Sequence, residues 1–242
     1  MKNIKKLKIR YTAFAIAASS VLSLAGCQEM ELAPSEDYDI VKTSGEDGED
    51  LSSSLIQELN VPGQDFKLVT EYSCDDSSKR EWRITSDKFL YVNVHTKDLP
   101  KDVMVYIDNI HIDTSIKSKY AVVDGILQDS MDDHVHSSQM IGMYIDNDSY
   151  YYGVDAIEGC NDEFLKLTGY GYNGYHDVSG ETKRRLESEY LDMGVYANKI
   201  QVVYDLLVKG PNDKDYTNVS VCTDFLVPVS DNEIKTEKVK IK

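Results

Sequence analysis

The clearest strand periodicity in this chain lies in residues 200–227, which read IQVVYDLLVKGPNDKDYTNVSVCTDFLV. In its two halves, 200–208 and 219–227, almost every second residue is apolar or aromatic. A side-chain period of two is typical of a strand with one buried face. The polar residues 209–215, with a Gly-Pro pair, separate the halves. The pattern therefore predicts a long β-hairpin.

The same period recurs upstream. In residues 88–96, Leu90 and Val92 share one face of an extended chain, while Phe89 and Tyr91 share the other. Turn residues such as Leu99-Pro100-Lys101-Asp102 punctuate the runs. We expect further strands at residues 66–74, 82–85, 103–107, 110–116, 139–145 and 150–157.

One segment has helical rather than strand composition. Residues 181–193 are rich in good helix formers, and Leu186, Tyr190 and Met193 form its narrow apolar stripe. Ser179 can cap the start, and Gly194 suits a left-handed stop. We predict one short helix between strands.

Short strands with at most one helix favour an all-β fold. We expect an antiparallel, immunoglobulin-like β-sandwich with one helical insertion, in a single domain of residues 61–231. A closed barrel has the same periodicity and is the alternative. The polar residues 232–242 predict a flexible tail.

The N-terminus has the parts of an export signal. A basic start that ends at Arg10 precedes the apolar residues 11–26, which end in small side chains. The sequence Leu24-Ala25-Gly26-Cys27 resembles the lipobox of bacterial lipoproteins. The resemblance covers residues 1–27 and implies that residues 1–26 are removed. It also implies that Cys27 carries a diacylglycerol, which would hold the protein on the extracytoplasmic side of a cell membrane.

A retained transmembrane helix is the alternative for this segment. Residues 11–26 are fewer than the roughly 20 that span a bilayer, and Thr and Ser interrupt them. We therefore favour the lipid anchor. The residues that follow, 27–60, are acidic and low in hydrophobicity, so they predict a disordered tether behind the lipidated Cys27.

Charge excludes one class of partner. The full chain has 26 basic and 42 acidic residues and a net charge of −16, and removal of residues 1–26 takes five basic residues away, leaving −21. Nucleic acid and anionic lipid headgroups repel such a surface. We expect no nucleic-acid partner, and contact with the membrane only through the lipid.

A histidine pair is the strongest metal candidate. In Asp132-Asp133-His134-Val135-His136, the two imidazoles would point the same way on an extended chain, with Asp132 and Asp133 beside them. The segment is polar throughout, however, and an exposed loop needs no ligand to explain two histidines. We expect no cofactor, with a divalent metal at these residues as the alternative.

A second candidate is a loop rich in glycine and tyrosine. Residues 169–176 read GYGYNGYH, so Tyr170, Tyr172 and Tyr175 are spaced by flexible backbone. Tyr supplies rigid amphipathic area that can stack on sugar rings or anchor a protein partner. The loop could instead fold back over a sheet edge. We interpret it as a candidate site for a glycan or protein ligand.

The sequence lacks familiar catalytic motifs. It contains no G-x-S-x-G, no P-loop and no H-E-x-x-H, and Cys74, Cys160 and Cys222 leave the disulfide pairing open. The leading hypothesis is a non-enzymatic binding, adhesion or envelope module. The alternative is an extracytoplasmic metal-binding protein or metal-dependent hydrolase that uses residues 132–136. A solute-binding component of a transporter fits worst, because little helical periodicity is present.

Overall fold

The computed structural model describes residues 31–34, 36–43, 53–74, 82–135, 141–159 and 180–229. These residues are mostly strand, with one short helix, as the sequence predicts. The elements are β1 (Asp39–Ile40), β2 (Lys42–Thr43), β3 (Ser53–Asn60), β4 (Lys67–Cys74), β5 (Lys88–Lys97), β6 (Met104–Ser118), β7 (Leu127–His134), β8 (Met143–Ile145), β9 (Tyr151–Ile157), α1 (Gly180–Asp192), β10 (Val195–Lys209) and β11 (Thr217–Pro228).

The described strands form two sheets. Sheet I has the order β1-β11-β10-β6-β7, with β8 also paired to β6, and sheet II has the order β2-β3-β4-β5-β9. Pairing is antiparallel within the described strands except between β1 and β11. Inward-facing side chains of both sheets build one core. This sandwich-like arrangement confirms the all-β prediction and separates the described fold from a closed barrel.

Aromatic side chains join the two sheets at the centre of the core. The hydroxyls of Tyr72 in β4 and Tyr204 in β10 lie 2.8 Å apart, and both side chains are fully buried. The ring of Phe225 in β11 packs on Tyr72 with centroids 4.3 Å apart. Burial raises the pKa of Tyr72 to about 12. Each hydroxyl therefore supplies the hydrogen-bond partner that the other needs away from water.

The predicted hairpin is confirmed. Strands β10 and β11 pair without a register break from Ala197 opposite Pro228 to Val208 opposite Thr217. The alternating residues Ile200, Val202, Tyr204, Leu206 and Val208 are all buried. Period-two burial thus fixes both the pairing and the face that meets the core.

The predicted helix is also confirmed, as α1. Leu186 and Tyr190 pack with Ile84 and Val195 in a second, smaller apolar cluster. Gly194 has φ +73°, and its N–H donates to the carbonyl of Leu191 at 2.9 Å. This is the left-handed stop that glycine permits at a helix C-terminus.

The expected strand at residues 82–85 is wrong, because none of these residues lies in a strand and Ile84 and Thr85 form a turn. Side chains replace the missing strand partner. Glu187 of α1 accepts from the N–H groups of Ile84 and Thr85 at 3.0 and 2.8 Å. The buried ammonium of Lys88 donates to three backbone carbonyl oxygens of the turn at 2.8 to 3.3 Å. Polar side chains from elsewhere thus satisfy the backbone without a ladder.

The two strands expected at residues 103–107 and 110–116 are one continuous strand, β6. Opposite β10, Ile107 pairs with Leu206 and Asn109 pairs with Asp205, so Asp108 is an extra residue at that step. A β-bulge of this kind shifts the side-chain alternation by one residue. The sequence shows the same shift of phase between residues 107 and 110, and this shift is the reason that the pattern predicts two strands.

The predicted tether reaches too far along the chain. Within residues 27–60, β3 pairs with β4 over its full length, and β1 and β2 pair with β11 and β3. The buried amide of Gln57 bonds to Asp39 at 2.7 Å and to Thr223 at 2.9 Å. Partners from distant strands therefore order residues whose local composition is polar.

Candidate functional site

The outer face of sheet II carries exposed aromatic side chains. Because Leu90, Val92 and Val94 of β5 lie in the core, the alternating residues of that strand point outward. Phe89 is 42% exposed and Tyr91 is 39% exposed. The sequence placed these two residues on a shared face, and the structure turns that face to solvent.

Strand β9 extends this surface beside β5. The register puts Val154 opposite Tyr91 and Tyr152 opposite Asn93. Tyr152 is 73% exposed and Val154 is 55% exposed. We name the surface formed by Phe89, Tyr91, Tyr150, Tyr152 and Val154 the aromatic face.

Ring contacts order one end of the aromatic face. The ring of Tyr150 lies 4.4 Å from that of His95 and 6.3 Å from that of Tyr152, measured between centroids. The two tyrosine rings are inclined by only 26°. Burial lowers the pKa of His95 below its ordinary value against the opposing field of Glu71, so the imidazole is neutral at pH 7.

Polar groups lie among and beside the rings. Asn93 Nδ2 donates to Glu71 Oε2 at 3.5 Å, while the buried Asn93 Oδ1 has no hydrogen-bond partner among the described residues. Farther along the same face, Lys67 and Lys97 both pair with Glu58. Hydrogen bonds from Lys97 and then Lys67 lower the pKa of Glu58 to about 2. The cationic groups at this end are therefore neutralised by their own carboxylate.

An aromatic outer face is informative because solvent-facing positions of an antiparallel sheet are usually polar. Contiguous exposed apolar side chains on a soluble domain mark contact sites more often than single ones do. The strands that hold these rings are paired over many residues, so the rings are presented on a rigid support. The geometry suits adsorption of a flat ligand.

The predicted metal segment lies mostly on β7, an ordered strand of sheet I rather than the loop its polarity suggested. Asp132 stands opposite His111 of β6, and Asp132 Oδ1 lies 2.9 Å from His111 Nδ1. The other ring nitrogen of His111 lies 3.1 Å from Asp113 Oδ1. Burial would lower the pKa of His111, but Asp132 and Asp113 hold it above its ordinary value.

The four residues predicted as ligands do not share one face. Asp132 and His134 alternate outward on β7, while Asp133 faces the gap between the sheets and accepts a hydrogen bond from the Tyr151 hydroxyl. His136 lies outside the described residues. Within the described part of the chain, no group of three or more His, Cys, Asp or Glu side chains could hold a metal ion. The metal site stays a prediction.

A buried carboxyl group lines a small cavity between β7 and β9. Asp155 is 3% exposed, and the cavity around it is also lined by Ile110, Met131, Asp133 and Tyr151. Burial, and to a smaller extent the charge of Asp129, raise its pKa from 3.8 to about 6. Ionisation at this position is therefore unfavourable in the folded protein.

Other predicted site residues lie outside the described part of the chain. These are Cys27 and the loop tyrosines Tyr170, Tyr172 and Tyr175. Of the remaining cysteines, Cys74 is buried in β4 and Cys222 is exposed on β11, and no disulfide joins these two. Cys160 is not among the described residues.

Sequence reasoning missed the aromatic face as a unit and missed Asp155 altogether. The signal for the first was available: Phe89, Tyr91 and Tyr152 occupy positions of β5 and β9 where polar residues are usual. The signal for the second was an acidic residue in phase with the apolar Tyr151 and Ile157. Neither signal tells which face of the strand meets solvent and which meets the core, because packing of the two sheets decides this.

Among the described residues, no helix has the length and apolar character needed to cross a membrane. No protein-family model matches the chain. A curated protein, the inner kinetochore subunit MIF2 of Saccharomyces cerevisiae, is 30% identical over 134 residues, which is 52% of this chain. The chain spans 24% of the length of that protein, so the similarity is partial.

Proposed function

We propose that the chain is a membrane-anchored surface lipoprotein whose β-sandwich is a non-enzymatic binding or adhesion module. The observation that carries the binding role is the aromatic face, with Tyr152 73% exposed beside Tyr91 on paired strands. Tyr and Phe supply large contact area at low conformational cost. The lipobox-like residues 24–27 support the anchor.

The fold within this proposal is immunoglobulin-like at the level of architecture. Two mainly antiparallel sheets support it, and so does the change from sheet I to sheet II at the buried Val41 between β1 and β2. The consecutive pairing of β3, β4 and β5 differs from the strand order of immunoglobulin constant domains. A solved structure whose sheets exchange strands differently would overturn the assignment.

The anchor is tested by labelling cells that express the full chain with a fatty-acid analogue. We expect label on the wild type and none on Cys27→Ser. Cys222→Ser is the matched control, because it removes an exposed thiol from the folded domain. Equal labelling of Cys27→Ser and the wild type would overturn the anchor.

The binding role is tested by adhesion of the same cells to surfaces coated with cell-wall polysaccharide or with extracellular matrix protein. We expect the double variant Tyr91→Ser/Tyr152→Ser to reduce adhesion, whereas Tyr144→Ser should not. Tyr144 is the matched control because it is 39% exposed, like Tyr91, but lies on β8 of the other sheet. Unchanged adhesion of the double variant on every surface would overturn the binding role of this face.

The metal-dependent alternative stays a separate hypothesis for residues 132–136. Both ring nitrogens of His111 lie close to carboxylates, and one of these carboxylates is that of Asp132. Asp132, which the metal hypothesis treats as a ligand, is therefore already paired with an imidazole. Metal analysis of the full chain and of His134→Ala/His136→Ala decides it. One equivalent of zinc lost in the double variant would favour the alternative, and equal content in both proteins would remove it.

A further inference from the structure

We propose that the aromatic face binds a neutral polysaccharide laid across β5 and β9, an inference that rests on the proposed binding function. The apolar C–H faces of sugar rings stack on aromatic side chains, while their hydroxyls need hydrogen-bond partners at the ring edges. The face offers both kinds of group. Phe89, Tyr91 and Tyr152 supply ring surface, and the half-buried Glu71 carboxylate on the neighbouring strand β4 supplies polar atoms beside them.

The dimensions of the face favour a chain over a single sugar. Outward positions from Phe89 to His95 span about 20 Å along β5, at roughly 3.3 Å per residue. The neighbouring strand β9 adds Tyr152 and Val154 about 4.8 Å to the side. A single sugar ring covers only part of such an area, so several successive units can contact it together.

Charge favours a neutral ligand. On this face the ammonium groups of Lys67 and Lys97 are paired with Glu58, and His95 is neutral at pH 7. An anionic glycan would therefore find its nearest cations already paired, on a chain with a net charge of −16. A neutral glycan meets no such repulsion.

The polar groups also distinguish a glycan from an apolar protein patch. The Glu71 carboxylate lies on the outer face of β4, opposite Asn93, whose Nδ2 donates to it at 3.5 Å. An apolar partner would desolvate this half-buried carboxylate without supplying a hydrogen bond, which is unfavourable. Sugar hydroxyls both donate and accept, so they can satisfy such groups as they displace water.

The first test is co-sedimentation of the full chain, in detergent micelles, with insoluble cellulose or chitin. The second test measures how strongly soluble starch or anionic alginate, cast into a native gel, retards the migration of the protein. We expect binding to at least one neutral glycan and none to alginate. Tyr91→Ala and Tyr152→Ala should each weaken binding about tenfold, because each removes one stacking ring. Tyr152→Phe keeps the ring and should bind within about threefold of the wild type. Tyr144→Ala should bind as the wild type does.

Three results would overturn the inference: no neutral glycan bound, preference for alginate, or equal loss in Tyr144→Ala. If Tyr91→Ala or Tyr152→Ala alters the thermal unfolding transition, Val154→Ser takes its place in the binding assay. This substitution removes apolar contact area at a position that is 55% exposed, so it should also weaken binding. The result also separates the two proposals. Loss of cell adhesion to matrix protein in Tyr91→Ser/Tyr152→Ser, with no glycan bound, would keep the binding role and reject the glycan.

Discussion

Replacement of Asp155 by Asn should stabilise the protein at alkaline pH. Asp155 is 3% exposed, and burial raises its pKa from 3.8 to about 6. At about 1.4 kcal/mol per pKa unit, the shift corresponds to about 3 kcal/mol. This is a large part of the 5–15 kcal/mol that is typical of a domain.

The sign follows from the direction of the shift. A group whose pKa is raised by folding favours the folded state at low pH, and that advantage is lost as pH rises through the folded pKa. Wild-type stability should therefore fall between about pH 4 and pH 7 as Asp155 ionises in its buried position. Asparagine has a similar shape and no charge, so the variant should not show this contribution.

Urea unfolding followed by the fluorescence of Trp82, the single and buried tryptophan, measures the difference. At pH 8 we expect Asp155→Asn to exceed the wild type by up to about 3 kcal/mol, and at pH 4.5 by about 1 kcal/mol. Asp215→Asn, at an exposed position in the β10–β11 loop, is the control and should change neither value. Equal stability of Asp155→Asn and the wild type at pH 8, or a gap that does not narrow in acid, would refute the reasoning.

Three further changes test other contacts of the fold by the same unfolding assay. Tyr72→Phe should lower the free energy of unfolding by about 1–3 kcal/mol, because it leaves the Tyr204 hydroxyl buried without its partner. The double variant Tyr72→Phe/Tyr204→Phe should recover part of that loss, and additive effects of the two substitutions would contradict the pairing. Glu187→Gln should lower the free energy of unfolding by about 1–3 kcal/mol, because the two carboxylate oxygens accept from two backbone N–H groups and an amide has only one acceptor oxygen. An unchanged urea midpoint would show that these hydrogen bonds do not contribute to stability. His111→Gln should lower the free energy of unfolding by at most about 1 kcal/mol below pH 6.5, where the imidazole is charged. At a pH above the raised pKa of folded His111 the substitution should have no such effect, so a loss of stability that grows with pH would contradict this prediction.

The parts of the fold that were predictable are those in which local pattern and tertiary role agree. The β10–β11 hairpin has long apolar alternation around one polar loop, and α1 ends at a glycine that adopts the left-handed conformation. The polar edge strand β7 gave no such pattern, because polar Gln128 and Asp133 lie on its core side beside the apolar Met131. Strands β1 and β2, of two residues each, depend on partners far away in the chain.

The candidate site was predictable only in composition. Alternation grouped Phe89 with Tyr91, but which of the two faces of β5 meets solvent is decided by packing against sheet I. The nearness of Asp132 to His111 depends on the register between β6 and β7, which no local signal specifies. The raised pKa of Asp155 depends on burial that a single acidic residue in a strand does not announce.

The parallel pairing of β1 with β11 has a consequence for how the chain folds. Asp39 of β1 lies beside Phe225 of β11, so a contact near the start of the domain requires a strand made near its end. Such distant contacts close a long loop and slow folding. If the chain crosses a membrane from its N-terminus, sheet I cannot be completed until the last strand has emerged. Until then the backbone groups of β1 that pair with β11 lack their partner. The rate of export, rather than the sequence of β1, sets how long they stay unpaired.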